Sequence, residues 1–381
     1  MGIRYVEKVE EKKEMVRNCI IIFLLIAAAV IFAGCASKSP AQEGASPSTG
    51  NATAPQSGAA EHTGQNGEKI PVKVLILPKF EEGEITGDDP GEGQYYYDEY
   101  CKDGEEYDIR AGYGDGKVYY KDGVALCLAG QGKVCTTLTM TSLMTDDRFD
   151  FSDAYIVATG CAGAASDYGI MGDVFVITSA VDYDLGHHSD WRELEEKREE
   201  TWFHNESYDA TSKVVLNEDL MDRVYDLVKD VKLETTDRAV EMLHDMFPGE
   251  EWIEREPMVQ KGTGVTGDNF WKGEYDHKNA LKIVKTYKCK DPFATTDMED
   301  VAVALTCRHF GMLDKLIIIR DTVNMDVFPP DISPEDLWEE QIETQIAEDE
   351  NSQTVGMFPV SMKNNFTVGS VVIDAILNGE L

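Results

Sequence analysis

The sequence predicts an α/β protein, a sandwich of helices around a central mixed β-sheet. Three observations carry this. Apolar runs at residues 72–77 (VKVLIL), 124–128, 154–159, 174–180 and 316–319 have the length and uninterrupted apolarity of buried strands. Segments of helical period lie between and after them, the clearest at 218–231, where Leu220, Val224, Leu227 and Val231 share one face. Strand and helix alternate along the chain, as layers of helix on sheet require.

The elements follow in order. After the first strand, a Tyr- and Gly-rich stretch to about residue 120 reads as irregular or hairpin-like. The strand at 124–128 leads into Gly130-Gln131-Gly132-Lys133, a turn that opens a helix ending at Met144. The strand at 154–159 ends in Gly160-Cys161-Ala162-Gly163, and Gly172-Asp173 introduces the strand at 174–180. Helices are expected over 190–200, 218–231 and 235–247, the last stopped by Pro248-Gly249. A strand at 259–266, a helix at 298–310, the strand at 316–319 and helices at 334–347 and 369–378 complete the series. Ligands of such sheets sit beyond the carboxyl ends of the strands.

The first seventy residues read differently. Arg4, Lys8, Lys12, Lys13 and Arg17 precede an apolar run over 19–33. That run is shorter than the ~20 residues of a spanning helix and suits a signal-peptide core. It ends in Phe32-Ala33-Gly34-Cys35, which resembles the lipobox of bacterial lipoproteins, with Phe32 where a leucine is usual. The expectation is a signal peptide over 1–35, lipid on Cys35 and an extracytoplasmic protein anchored to the bacterial membrane; a single-pass signal anchor is the alternative. Residues 36–69, rich in Ser, Ala, Gly, Pro, Gln and Thr, lack the apolar surface to offset chain entropy and read as a disordered linker. Residues 70–381 form the folded part. No further membrane segment appears after it, so this polypeptide alone is not expected to form a pore.

Charge narrows the function classes. Seventy-one acidic and 35 basic residues give a formal net charge of −36, spread along the chain. Nucleic acid would be repelled, and a neutral ligand suits the field better than a highly anionic one. The cysteines beyond residue 35 lack metal-ligand spacing and read mostly as small buried apolar residues, with disulfides as the alternative. His187, His188 and His204 near Asp184 and Asp190 lack the spacing of a zinc site, so no metal is expected.

Taken in order, the motifs define a resemblance. A strand, G-x-G-K-V into a helix, strand-TG-C-AG and GDVFVITSAV resemble the nucleoside phosphorylase superfamily. Within it the chain is most similar to the purine nucleoside permease family, through DLGHH (184–188), KDVKL (229–233), TDMED (296–300), Asn324 followed by Pro329-Pro330, and VGSVVID (368–374). The resemblance runs from Val72 to the C-terminus. It implies a nucleoside phosphorylase-like three-layer sandwich and a purine nucleoside ligand; homo-oligomers are common in the superfamily.

The chemistry of single residues agrees. A carboxylate such as Glu299 accepts two hydrogen bonds side by side, which suits the 2′- and 3′-hydroxyls of ribose. A helix-start acid favoured by the macrodipole is the bland alternative. Resemblance gives Glu299 the ribose, with Met298 packing on the sugar and Phe270 against the purine, where a flat apolar ring is the expected platform. Gly132 and Gly160 would let a ligand approach the backbone, or merely permit turns. Asn324 stands where superfamily nucleosidases carry an Asp; it can bind a 6-oxopurine edge but cannot protonate a leaving base. Asp326, two residues on, reads as a solvated loop acid, with substitution for Asn324 as the acid the alternative. Hydrolysis would use a base among Glu81, Glu82 and Glu84, with Glu84 the choice and plain surface acids the alternative. Phosphorolysis, with phosphate as co-substrate and no other cofactor, would need an arginine such as Arg110, Arg148 or Arg192. The function implied is purine nucleoside binding for uptake through a separate membrane transporter, with cleavage of the N-glycosidic bond as the alternative.

Overall fold

The apolar run after residue 71 becomes strand β1 (Val74–Leu77), buried at all four positions. The computed structural model describes residues 68–110, 115–189, 201–330 and 357–381. The expected signal peptide with Cys35, the linker up to residue 67, Arg192 and the helices expected over 190–200 and 334–347 lie outside the described residues. All described residues belong to one compact unit, His62–Leu381.

The Tyr-rich stretch forms a hairpin, β2 (Glu105–Asp108) with β3 (Lys117–Lys121), continued by β4 (Val124–Leu126). Helix α1 (Lys133–Met144) follows the Gly-rich turn. The long strands β5 (Tyr155–Ala164) and β6 (Val174–Asp182) come next, and then short β7 (Lys213–Val215). Helices α2 (Glu218–Val228) and α3 (Asp237–Met246) start on side-chain caps: Asn217 accepts from the Leu220 amide and Thr236 from the Ala239 amide. Strand β8 (Val259–Thr266), helix α4 (Glu274–Thr286), strand β9 (Phe293–Asp297), helix α5 (Asp300–His309), strand β10 (Leu316–Met325) and helix α6 (Phe358–Leu377) close the series.

These ten strands share one mixed sheet in the order β7-β6-β8-β9-β5-β1-β4-β3-β2, and β10 pairs with both β5 and β6. Strands β6, β8, β9, β5 and β10 therefore form a closed hydrogen-bonded circuit. Helix α6 packs on β10 and β5 beside α2, and α5 packs on β8 and β6 beside α1, giving the three-layer α/β arrangement.

Several boundaries differ from the sequence expectation, and the reasons are physical. Strand β5 runs on through Gly160 and Gly163, and β10 through Asn324, because polar and small residues are buried there by pairing with each other. Helix α6 begins at Phe358, eleven residues before the expected start at 369; its first half buries Ser361, Asn364 and Asn365, which masks the apolar period. Helix α4 and strand β9 were not foreseen, for the same reason: His277 and Asn279 face inward in one, and Thr295 in the other. The six described cysteines are free thiols. No described helix is long and apolar enough to cross a membrane.

Candidate functional site

The carboxyl ends of β5 and β9 meet because the two strands are antiparallel where they pair, Thr295 opposite Ala164 and Thr296 opposite Gly163. Strand β10 brings Asn324 opposite Gly163 from the other side. A Cβ on Gly163 would stand 2.8 Å from Thr296 Cγ2 and 3.4 Å from Asn324 Nδ2, so only glycine lets these ends close up. Asn324 is half-buried, and its Nδ2 donates to the Met325 carbonyl at 3.1 Å.

Glu299 lies just before α5, where Asp297 Oδ1 caps the helix by accepting from the Glu299 amide (3.0 Å) and the Asp300 amide (2.8 Å). Glu299 is 3% exposed. Its Oε1 accepts from the Gly132 amide at 2.9 Å and its Oε2 from Arg320 Nη2 at 2.9 Å. A carboxylate at a helix start needs neither partner; these bonds hold both oxygens at fixed positions. Arg320, on β10 and fully buried, also donates to Asp300 Oδ1 and to the Cys161 carbonyl. Met298 is half-buried.

Gly132 adopts φ +81°, a conformation open to glycine, and this turns its amide toward Glu299. Lys133 follows. Its Nζ lies 2.8 Å from Asp184, 3.1 Å from Asp182 and 3.7 Å from Asp268. Its amide donates to Asp268 Oδ1 at 2.8 Å, so the G-x-G-K turn fastens the loop that carries Phe270. Phe270 is 57% exposed on that loop, whereas Trp271 turns inward and stacks on Tyr183 at 5.1 Å. Gly160, with φ +147°, does not present open backbone: a Cβ there would lie 2.7 Å from both Glu92 carboxylate oxygens and 2.8 Å from Arg320 Nη1.

The choice of Glu84 is corrected. Glu84 is exposed, and its amide donates to Asp88 Oδ2 at 2.9 Å. Gly83 and Gly87, both at positive φ, fold the loop back on itself, so Glu81 turns inward to accept from the Gly91 and Gly93 amides. Burial pushes Glu81 up to about 7, against the pull of those amides. The acid that reaches the strand ends is Glu92, which the sequence reading missed. Its Oε2 accepts from the Lys79 amide at 2.6 Å and its Oε1 from the Cys161 amide at 2.9 Å. Burial raises its pKa, while Lys79 and Arg320 oppose the shift. A lone glutamate within a Pro-Gly-Glu-Gly run carries no local signal of burial.

Asp326 is a second correction. It is fully buried and not a solvated loop acid; Oδ2 lies 2.6 Å from His277 Nδ1 and Oδ1 accepts from the Ser166 amide at 3.0 Å. Burial pulls the His277 pKa down, but the Asp326 hydrogen bond and charge outweigh it and the net shift is upward. Arg148 is turned away from the site onto Asp146 and the Asp108 carbonyl. His187, His188 and His204 bond to Asn205, the Tyr183 carbonyl and Asp209 respectively. Among the described residues no group of three His, Cys, Asp or Glu side chains is arranged to hold a metal.

Fold and site define a three-layer α/β protein with a buried, ion-paired carboxylate and an amide side chain at converging strand ends. The chain belongs to the purine nucleoside permease family, whose model matches residues 71–380. A Schizosaccharomyces pombe protein described as a probable purine nucleoside permease is 27% identical over 221 residues, 52% of this chain and 63% of its own length, so the match spans less than two thirds of that relative. Among solved structures, Helicobacter pylori futalosine hydrolase aligns at 16% identity over 80% of this chain and 97% of its own, with a TM-score of 0.49. The 5′-methylthioadenosine/S-adenosylhomocysteine nucleosidase of the same organism aligns at 14% identity over 82% of this chain and 100% of its own, with a TM-score of 0.47.

Proposed function

We propose that this protein binds purine nucleosides outside the cytoplasm, tethered through lipid on Cys35, and contributes to their uptake by handing them to a separate membrane transporter. The observation that carries the ligand is Glu299, held with both oxygens fixed by Gly132 and Arg320. Ribose hydroxyls would approach Glu299, the base edge Asn324 and the base face Phe270. Membership in the purine nucleoside permease family supports both the ligand class and the transport role.

Glu92 favours a second reading, hydrolysis of the N-glycosidic bond. A carboxylate within electrostatic reach of Glu299 and Arg320 would accept a proton from water. That water's oxygen would attack C1′ while the bond to the base breaks, and Asn324 would steady the departing base by hydrogen bonding. Phosphorolysis fits less well, because Arg320 and Lys79 are already committed, the first to acids and the second to the Leu77 and Thr159 carbonyls. The full-length protein, incubated with inosine, guanosine and adenosine with and without phosphate, tests all of this through free-base release and bound nucleoside. Binding without turnover supports uptake, release in buffer alone supports the hydrolase, and release only with phosphate supports a phosphorylase. Failure to bind any purine nucleoside overturns the proposal.

A further inference from the structure

Three buried oxygens beside Glu299 have no hydrogen-bond partner. They are Thr295 Oγ1 and Asp297 Oδ2 on β9 and Asp300 Oδ2 at the head of α5. All three face Gly264 on β8, where a Cβ would stand 3.1 Å from Asp297 Oδ2, 3.3 Å from Asp300 Oδ2 and 3.4 Å from Thr295 Oγ1. The β8–β9 pairing shifts register between Thr263 and Gly264, a bulge of the kind that re-aims groups beside functional sites. Ionised carboxylate oxygens only accept, so with both acids ionised Asp297 Oδ2 and Asp300 Oδ2 have no donor between them, and the Thr295 hydroxyl, which carries its own hydrogen, bonds to neither.

The local charges point the same way. Around the Arg320 guanidinium stand Asp300 at 2.7 Å, Glu299 at 2.9 Å and Asp297 at 3.8 Å, three acids on one cation. The next cation, Lys79, shares its field with Glu92 as well as with Glu299 and Asp300. Asp297 Oδ1 is occupied by the amides of Glu299 and Asp300 and by the Thr266 hydroxyl, which leaves Oδ2 as the oxygen able to take a proton.

We infer that Asp297 is kept as the neutral acid, that its Oδ2 hydrogen is the donor for the enclosed Asp300 Oδ2, and that this proton sets the charge balance in which Arg320 holds Glu299. Burial and the neighbouring Asp300 charge push Asp297 up to about 7, against the pull of Arg320, so the proton passes to solvent near neutral pH. The consequence for ligand affinity rests on the assignment of ribose to Glu299; the proton itself does not.

The test uses the full-length chain and Asp297→Asn, whose amide is a permanent donor and whose oxygen keeps the helix cap. A folded-state pKa above the unfolded one favours the folded form until the proton is lost. Between about pH 4 and about pH 8 the wild-type Tm should therefore fall more steeply than that of Asp297→Asn, the two curves running parallel above that range. Infrared difference spectra, wild type minus variant, should carry a protonated-carboxyl band below that window and lose it above. Parallel Tm curves without such a band would overturn the inference. If Asp297→Asn does not fold, Asp300→Asn supplies the donor from the other side and should abolish the same band, and a persisting band would overturn it. Inosine affinity should decline through the window in the wild type and stay flat in Asp297→Asn. A flat wild-type profile refutes the coupling to Glu299, whereas no inosine binding at any pH refutes the nucleoside reading and leaves the spectroscopic result standing.

Discussion

At the scale of single residues, Glu299 and Arg320 depend on each other. Removing one member of a buried pair leaves a charge without its counterpart and typically costs about 3–5 kcal/mol, whereas exposed pairs are worth at most about 1 kcal/mol. Arg320→Met should destabilise the fold by about that larger amount, read as a lowered urea midpoint, because Glu299 and Asp300 both lose their cation. Glu299→Gln should do less to stability, since Asp300 still holds Arg320, yet reduce nucleoside affinity at least about tenfold, the equivalent of one charge-assisted hydrogen bond. Equal affinities in wild type and Glu299→Gln would remove ribose from this residue.

Elements are fixed by their ends. Asn217 and Thr236 cap α2 and α3, and replacing either by alanine should lower stability by about 1 kcal/mol in urea unfolding without changing ligand affinity. Helix α4 is tied to the residue that follows β10 by the His277–Asp326 pair. The His277 pKa is raised above its unfolded value, so the bond stabilises fully below the unfolded pKa of about 6.5 and is lost as pH rises through the folded value. His277→Gln should flatten that part of the wild-type Tm profile; an unchanged profile would mean that the imidazole is not charged there. Sequence alone found α2 and α3 because each has a polar outer face and an apolar inner one. It passed over α4 because a histidine and an asparagine occupy inward positions of that helix.

Over the whole molecule, charge of one sign prevails. With a formal net charge of −36, self-repulsion opposes the compact state, and salt screens it. Raising ionic strength from about 0.01 M to about 0.15 M, which shortens the Debye length from about 30 Å to about 8 Å, should raise the Tm; a flat or falling Tm would show that acid–acid repulsion is already balanced locally. The Lys133 cluster with Asp182, Asp184 and Asp268 is one such local balance, and it anchors the Phe270 loop.

What the sequence determined by itself was the α/β class, the strands of the closed circuit other than β9, and the family, because apolar runs, glycine turns and ordered motifs are local signals. Glu299, Asn324, Gly132 and Phe270 were named from short motifs, and the structure joins the first and third through the Gly132 amide. Which acid reaches the strand ends was decided only by tertiary structure. Glu84 and Glu92 look alike in sequence; the first is exposed in the Gly83–Gly87 loop, and the second is buried against the amides of Lys79 and Cys161. Asp326 was misread for the same reason, since its burial goes with a histidine 49 residues away. The unpartnered oxygens at Gly264 belong to β9 and α5, and their common environment exists only once both have packed against β8.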